Sequence, residues 1–436
     1  MLQWNDGIIA KLESFAMSRM PIDIKFARGG AICLVSTALN KAVLMDKLGP
    51  VRPNVFIFHV DASGSYKTPY LNRIKEIVKQ FNINYKGPTT LTQQGMTAWI
   101  AGTPPVATEA HPVNFIIKDE ASKWVSDLQQ RERSGLIEYM SQLWDDEIEG
   151  YVTRTYGNEG NLQPYTVIFA ATTGTFFDHL EKSFFQQGFG NRPLWSVGDF
   201  DKSKIRLAES DFFFGLGKED EEWESLSDDI IEKLNCLEKI RQVLVGDSNH
   251  EWKKWRYDLE VRAAEVKGGE GEYLRKQPLN ALKLAMIYAA SRMSISPEHD
   301  DILFVLNEDI HRAIQDVEGY IKGWKDAMKV WSAQAETKNE SVEVASDLMK
   351  RVIEVAANSG GVMCLRTISA ALDIANYDKL ARGITLGVNK EYIEAVNSGT
   401  GEIGTATIEE LKRVHTKGPI PQMWRLTEAG RKFLEG

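Results

Sequence analysis

The chain has 436 residues, more than one ordinary core needs and enough to bury the surface of two or three domains without disulfide or metal staples. Its three cysteines, Cys33, Cys236 and Cys364, lie far apart with no CxxC or Cys/His spacing, which argues against a zinc site or disulfide framework and fits a reducing, cytoplasmic setting. A net charge of −9 excludes a chain that coats nucleic acid along its whole length, so any DNA contact must be local. The longest apolar stretch, Ala31 to Met45, is broken by Ser36, Thr37, Asn40 and Lys41 and falls short of the roughly 20 apolar residues that span a bilayer. With no basic segment leading into an apolar one at the start, neither export nor a membrane partner is expected.

In chain order, residues 1–50 read as a helical preface, two patterns divided near Pro21, the second from Gly30 to Lys47 and rich in Ala, Leu and Val. Val55 to Val60 is a short apolar run rich in aromatic and β-branched residues, followed by a small-residue loop and a helix from Pro69 to about Gln80. Similar runs recur at Val113–Lys118 and Tyr165–Ala171, and buried strands spaced by helices predict an α/β core with a parallel sheet over residues 51–200. Residues 201–334 read as a helical extension or lid, with Leu279–Tyr288 its clearest amphipathic stretch, and polar residues 335–340 as a linker. Beyond it, residues 341–436 run helix, short strand, helices, and a strand turning into a last helix at Met423–Gly430, the order of a winged helix.

The strand–loop–helix at Asp61–Thr68 carries the first chemistry. In a P-loop of pattern GxxxxGK[ST], backbone N–H groups cradle phosphates, the lysine reaches the β and γ oxygens, and the Ser or Thr holds Mg²⁺. Lys67 and Thr68 supply those two side chains, while Ser63, Gly64, Ser65 and Tyr66 would bring the backbone to the phosphates of ATP. Asp61 and Tyr66 stand where the pattern has glycines, and the bland alternative is an ordinary turn with a chance Lys-Thr pair.

A second signal follows at a suitable distance, where the Phe115–Lys118 strand ends in Asp119 and Glu120. Asp119 would hold Mg²⁺ and Glu120 would orient or deprotonate the water that attacks the γ-phosphate. Thr173, at the end of the third strand, is a candidate contact to that phosphate or water, or simply a strand end. Arg192, in the Gly188–Arg192 turn, is a candidate arginine finger for a neighbouring subunit's ATP, with a loop ion pair as the alternative. Arg275 is a candidate second phosphate sensor.

With these residues the segment from about Ala27 to Ala290 resembles the P-loop ATPases of plasmids, viruses and integrated elements, the helicase modules joined to primases. More distantly it is similar to the minichromosome maintenance helicases of the AAA+ group, whose loop also has a non-glycine residue before its lysine. The resemblance implies a P-loop NTPase fold of AAA+/RecA-like type and self-association into a ring, read as a hexamer. It also implies a DNA-touching hairpin over Glu149–Tyr165 with Arg154 as its basic residue, and a primase or replication initiator as a partner. An edge hairpin with no DNA role is the alternative for Arg154. In the C-terminal domain Lys379, Arg382 and Arg425 are candidate DNA contacts, offset by Asp373, Asp378, Glu391, Glu394, Glu409 and Glu410, so a protein-binding winged helix stays open. The expected activity is an ATP-dependent helicase or translocase acting in replication of a mobile element or virus; the alternative is an ATP-dependent DNA-binding switch or initiator with little hydrolysis.

Overall fold

The computed structural model describes residues 7–20, 22–46, 49–61, 67–81, 113–122, 135–145, 151–153, 157–159, 164–180, 188–198, 218–246, 250–266, 269–296, 298–358, 362–372, 393–396, 403–404 and 423–435, with isolated positions between. They form an α/β protein that divides into two units, Met1–Trp331 and Ser332–Gly436. No helix among the described residues is long and apolar enough to cross a membrane.

Helix α1 (Ile8–Arg19) is followed by α2 (Ile24–Ala38), which starts where the Asp23 carboxylate accepts the Lys25 N–H. Helix α2 is buried along most of its length. The expected second helix stops here, because Val43–Asp46 is strand β1, paired antiparallel with β2 (Gly49–Val51). Strand β3 (Phe56–Val60) leads to α3 (Lys67–Val78), whose Tyr70, Leu71, Ile74, Ile77 and Val78 fall on one buried face at helical spacing. Pro69 is tolerated there because the N–H groups of the first helical turn have no intrahelical acceptor, so a residue without an N–H loses no bond.

Strand β4 (Val113–Lys118) and helix α4 (Gly135–Asp145) precede an antiparallel pair, β5 (Tyr151–Thr153) and β6 (Gly157–Glu159). Strands β7 (Tyr165–Thr172) and β8 (Leu194–Val197) complete a four-stranded, all-parallel sheet of order β4-β7-β3-β8. All residues of β3 and β7 are buried, as a parallel sheet covered on both faces requires. On one face Phe58 meets Trp124, Phe176, Phe189 and Trp195; on the other Phe26 of α2 lies against His59 and Phe169. Each such buried ring contributes roughly 2–3 kcal/mol relative to exposure.

The region expected to be helical holds α5 (Lys218–Leu237), α6 (His250–Glu265) and α7 (Gly269–Ser291), but also two strands, β9 (Gln242–Val245) and β10 (Ile302–Val305). These join β1 and β2 in a mixed sheet of order β10-β9-β1-β2. Helix α7 is not a surface amphipathic helix, since Leu284 to Ser291 are buried without interruption. Residues 335–340, expected as a linker, lie inside helix α8 (Asn307–Asn358), where Ala335, Glu336, Lys338 and Glu340 favour a helix and no Gly or Pro falls among the six. Within the first unit this helix passes so close to β8 that a Cβ on Gly323 would stand 2.2 Å from the Trp195 carbonyl oxygen.

The second unit pairs β11 (Val362–Cys364), β12 (Ile393–Val396), β13 (Ile403–Gly404) and β14 (Met423–Leu426) in an antiparallel sheet of order β11-β14-β12-β13. Helix α9 (Leu365–Leu372) follows β11 and α10 (Glu428–Glu435) follows β14. Leu348, Val352, Ile353 and Ile368 are among its buried residues.

Candidate functional site

Because β3, β4, β7 and β8 run parallel, their carboxyl ends meet along one edge of the sheet. The ladder continues past the strands: Asp61 N–H donates to Thr172 O at 3.0 Å, Ala121 N–H to Ala171 O at 3.0 Å and Gly198 N–H to Val60 O at 2.7 Å. The connection from β3 leads to β4 in one direction, whereas that from β7 leads to β8 on the far side of β3. Strand order therefore reverses between β3 and β7, and in open α/β sheets ligands bind in the crevice that such a reversal opens at the carboxyl ends.

The side chains gathered there are Asp61, Lys67, Thr68, Asp119, Glu120, Ser122 and Thr172. Lys67, at the start of α3, is buried, and its Nζ lies 3.5 Å from Asp61 O. Burial pulls its pKa down, against the opposing pull of the Asp61, Glu120 and Asp119 carboxylates. Thr68 is exposed, and its hydroxyl donates to Asp119 Oδ2. Glu120 is fixed through one oxygen: Oε1 accepts from Ser122 Oγ at 2.5 Å, Ser122 N–H at 3.0 Å and Thr172 Oγ1 at 2.7 Å. Partial burial pushes the Glu120 carboxyl up, but these hydrogen bonds and the Lys67 charge outweigh it, so its pKa lies below the usual carboxylate range.

The geometry thus brings Lys67, Thr68, Asp119 and Glu120 together. Thr173 points elsewhere, its hydroxyl paired with Thr175 Oγ1 at 2.8 Å, and it is the preceding Thr172 that reaches Glu120. Arg192 lies two residues before β8, at the amino end of the sheet; its guanidinium donates to Gly188 O at 2.9 Å and Asp145 Oδ2 at 2.8 Å and sits 5.8 Å from the centre of the Trp144 ring. Arg275, half-exposed on α7, pairs with Glu260 of α6 at 3.7 Å. Ser63, Gly64, Ser65, Tyr66, Arg154, Lys379 and Arg382 lie outside the described residues. Arg425 lies on β14, in register with Val362 and Glu394.

Thr172 and Ser122 are the functional candidates that sequence reasoning missed. The available signal was a threonine closing an apolar strand and a serine two residues past an acid, which is too common a pattern to single out. No family model matches the chain, and no curated protein matches it either.

Proposed function

We propose that the chain is a P-loop ATPase of AAA+/RecA-like type that assembles into a ring, read as a hexamer, and acts on DNA as a helicase or translocase in replication of a mobile element or virus. The observation that carries this reading is the hydrogen bond between Thr68 and Asp119, at the ends of two different segments, beside the buried Lys67 ammonium. A hydroxyl and a carboxylate in contact are hard oxygen donors, the set that suits Mg²⁺ when substrate phosphates complete its shell. Thr68 and Asp119 would hold the ion, which when bound neutralises charge on the transferred phosphate. Lys67 would bind the β and γ oxygens of ATP, and Thr172 would steady Glu120 against the attacking water.

Arg192, paired within the chain with Asp145, would act in trans. It and the Lys67 group sit at opposite ends of strands roughly 13–17 Å long, at about 3.3 Å per residue over the four to five residues of β8 and β3. A finger at that end would serve a neighbour's ATP, which supports assembly. On the DNA side, β5 and β6 form an antiparallel pair, which supports a hairpin that would touch DNA, with Arg154, next in sequence after β5, as its basic residue. The antiparallel sheet and helices of the second unit support a winged helix, with Lys379, Arg382 and Arg425 as its DNA contacts. A primase or replication initiator is the expected partner.

A second reading draws on one observation. A carboxyl as acidic as Glu120 holds and orients a water better than it deprotonates one, which favours slow hydrolysis and an ATP-dependent DNA-binding switch or initiator. ATPase rates with and without single-stranded DNA, in the native chain and in Lys67→Ala, separate the two. DNA-stimulated turnover that disappears in the variant supports the motor. ATP-dependent DNA binding without turnover supports the switch, and nucleotide binding that survives Lys67→Ala overturns both.

A further inference from the structure

Three strands of the mixed sheet, β10, β9 and β1, run parallel, and parallel strands are almost always covered on both faces. One face is covered, with Leu303, Val305, Val243, Leu44 and Val51 buried. Successive residues of a strand point to opposite faces, so the alternate positions turn away from that core. There Phe304 stands beside Leu244 and Met45 beside Pro50 in register, and Leu44 pairs with Val243 one step before. The result is an apolar row across all four strands, in which Phe304 and Leu244 are each 37% exposed and Met45 72%. Leu306 extends it past the end of β10, and the neighbouring row of Ile302, Gln242 and Val43 is uncharged. A sheet face that meets water carries polar side chains, and this one has a single glutamine.

A surface that fits this face lies elsewhere on the same chain. Helix α6 turns Tyr257, 69% exposed, with Val261 and Ala264 to solvent in one strip at helical spacing. Among the described residues of the first unit, the exposed large apolar side chains fall into these two groups, Ile24 excepted. Their rims differ in charge. One turn before Tyr257, Lys253 and Lys254 are exposed and make no ion pair among the described residues. Just before β10, Glu298, Asp300 and Asp301 are exposed, and among the described residues the cation paired with them is Lys239, 3.8 Å from Asp300. The nearby Arg241 guanidinium is turned to the Glu238 and Ile240 carbonyls instead.

We infer that a second copy of the chain covers the outer face of the mixed sheet, laying its Tyr257–Val261–Ala264 strip across the Phe304–Leu244–Met45 row. Its Lys253 and Lys254 then lie toward Glu298, Asp300 and Asp301, so that apolar contact holds the centre and opposite charges set the register at the rim. Because the two patches differ, the contact is head-to-tail, and each copy keeps one patch free for the next. Such a contact closes into a ring or runs on as a filament. It deepens the ring reading by naming a surface for it, and it needs no nucleotide.

The test is sedimentation velocity on the full chain, with and without ATP and Mg²⁺. The native chain is expected to assemble beyond the monomer within about 1–100 μM. Leu244→Glu and Tyr257→Glu each place a carboxylate in the apolar contact, and each is expected to raise the concentration of half-assembly at least about tenfold. Mixing the two variants should restore association, but only as far as pairs, because one retains an intact strip and the other an intact sheet face. Met45→Glu, at the most exposed position of the row, replaces Leu244→Glu should that variant fail to fold. A native chain that stays monomeric throughout, or variants that assemble as the native chain does, overturns the inference. Assembly lost in Leu244→Glu but kept in Tyr257→Glu also overturns it, since the sheet face would then meet something other than the strip. Nucleotide titration of the same variants keeps the two readings apart: they should bind ATP as the native chain does, whereas assembly by a chain that binds no ATP overturns the ATPase reading alone.

Discussion

The two ends of the parallel sheet hold polar clusters that differ in exposure and in charge. At the amino end, mostly buried polar side chains tie one element to another. Lys283 Nζ donates to Asn54 Oδ1 at 2.8 Å and Trp144 O at 3.3 Å, and stands 3.9 Å from the centre of the Trp144 ring. Asn54 donates to Trp144 O at 3.0 Å, Asn280 to Arg192 O at 3.2 Å and Asn191 to Glu272 at 3.0 Å. These bonds lock α4, α7 and the residues leading into β3 and β8 to one another. At the carboxyl end hydrogen bonds also cross between elements, Thr68 to Asp119 and Thr172 to Glu120, but three acids gather around one lysine, and Thr68 and Glu120 face solvent. A cluster that fastens elements together supports stability, and one that concentrates charge at an open crevice supports binding.

Arg192 is the exception that can break this division, since it belongs to the fastened end yet is assigned chemistry. Arg192→Ala is expected to lower ATP turnover by about 10³-fold while nucleotide binding persists. Mixing Arg192→Ala with Lys67→Ala chains should restore part of the activity, because each supplies what the other lacks across a subunit boundary. No recovery in a steady-state assay of the mixture would return Arg192 to a purely structural role.

Lys283→Ala sharpens the comparison from the other side. It strips the buried partners of Asn54 and Trp144 and leaves a cavity, so chemical denaturation should show a loss of about 3 kcal/mol. ATP affinity of the folded fraction should be unchanged. A loss of affinity without a loss of stability would mean that the amino end communicates directly with the crevice.

The smallest effect concerns Glu120. Its folded pKa is lowered, so its ionised form contributes stability above the unfolded carboxylate pKa, and that contribution is lost as pH falls through the folded value. The stability difference between the native chain and Glu120→Gln should therefore be constant from about pH 7 to 5 and shrink on further acidification. A difference that grows as pH falls would show that the hydrogen bonds from Ser122 and Thr172 do not favour the carboxylate.

How much of this was legible in the sequence depends on how local each signal is. Strands β3, β4 and β7 are mostly apolar runs, and Lys67, Thr68, Asp119 and Glu120 follow within eight residues of two of them, so their grouping could be read from order alone. Thr172 and Thr173 could not be told apart. Strand β7 is buried on both faces, so no alternation marks which of two adjacent residues turns toward β4. The mixed sheet was hidden because β1, β9 and β10 have four residues each and are drawn from three separate regions of the chain. The Arg192–Asp145 pair and the His59–Ser196 pair are likewise long-range, 47 and 137 residues apart, and no spacing rule reaches that far.

The most direct measurement is calorimetric titration of the full chain with ATP and Mg²⁺, in native form and as Lys67→Ala. The account predicts one nucleotide bound per chain and a loss of at least about 100-fold in affinity in the variant, roughly 2.7 kcal/mol. Equal affinity in both, or no binding by the native chain, would contradict it and leave the carboxyl-end cluster without its proposed role.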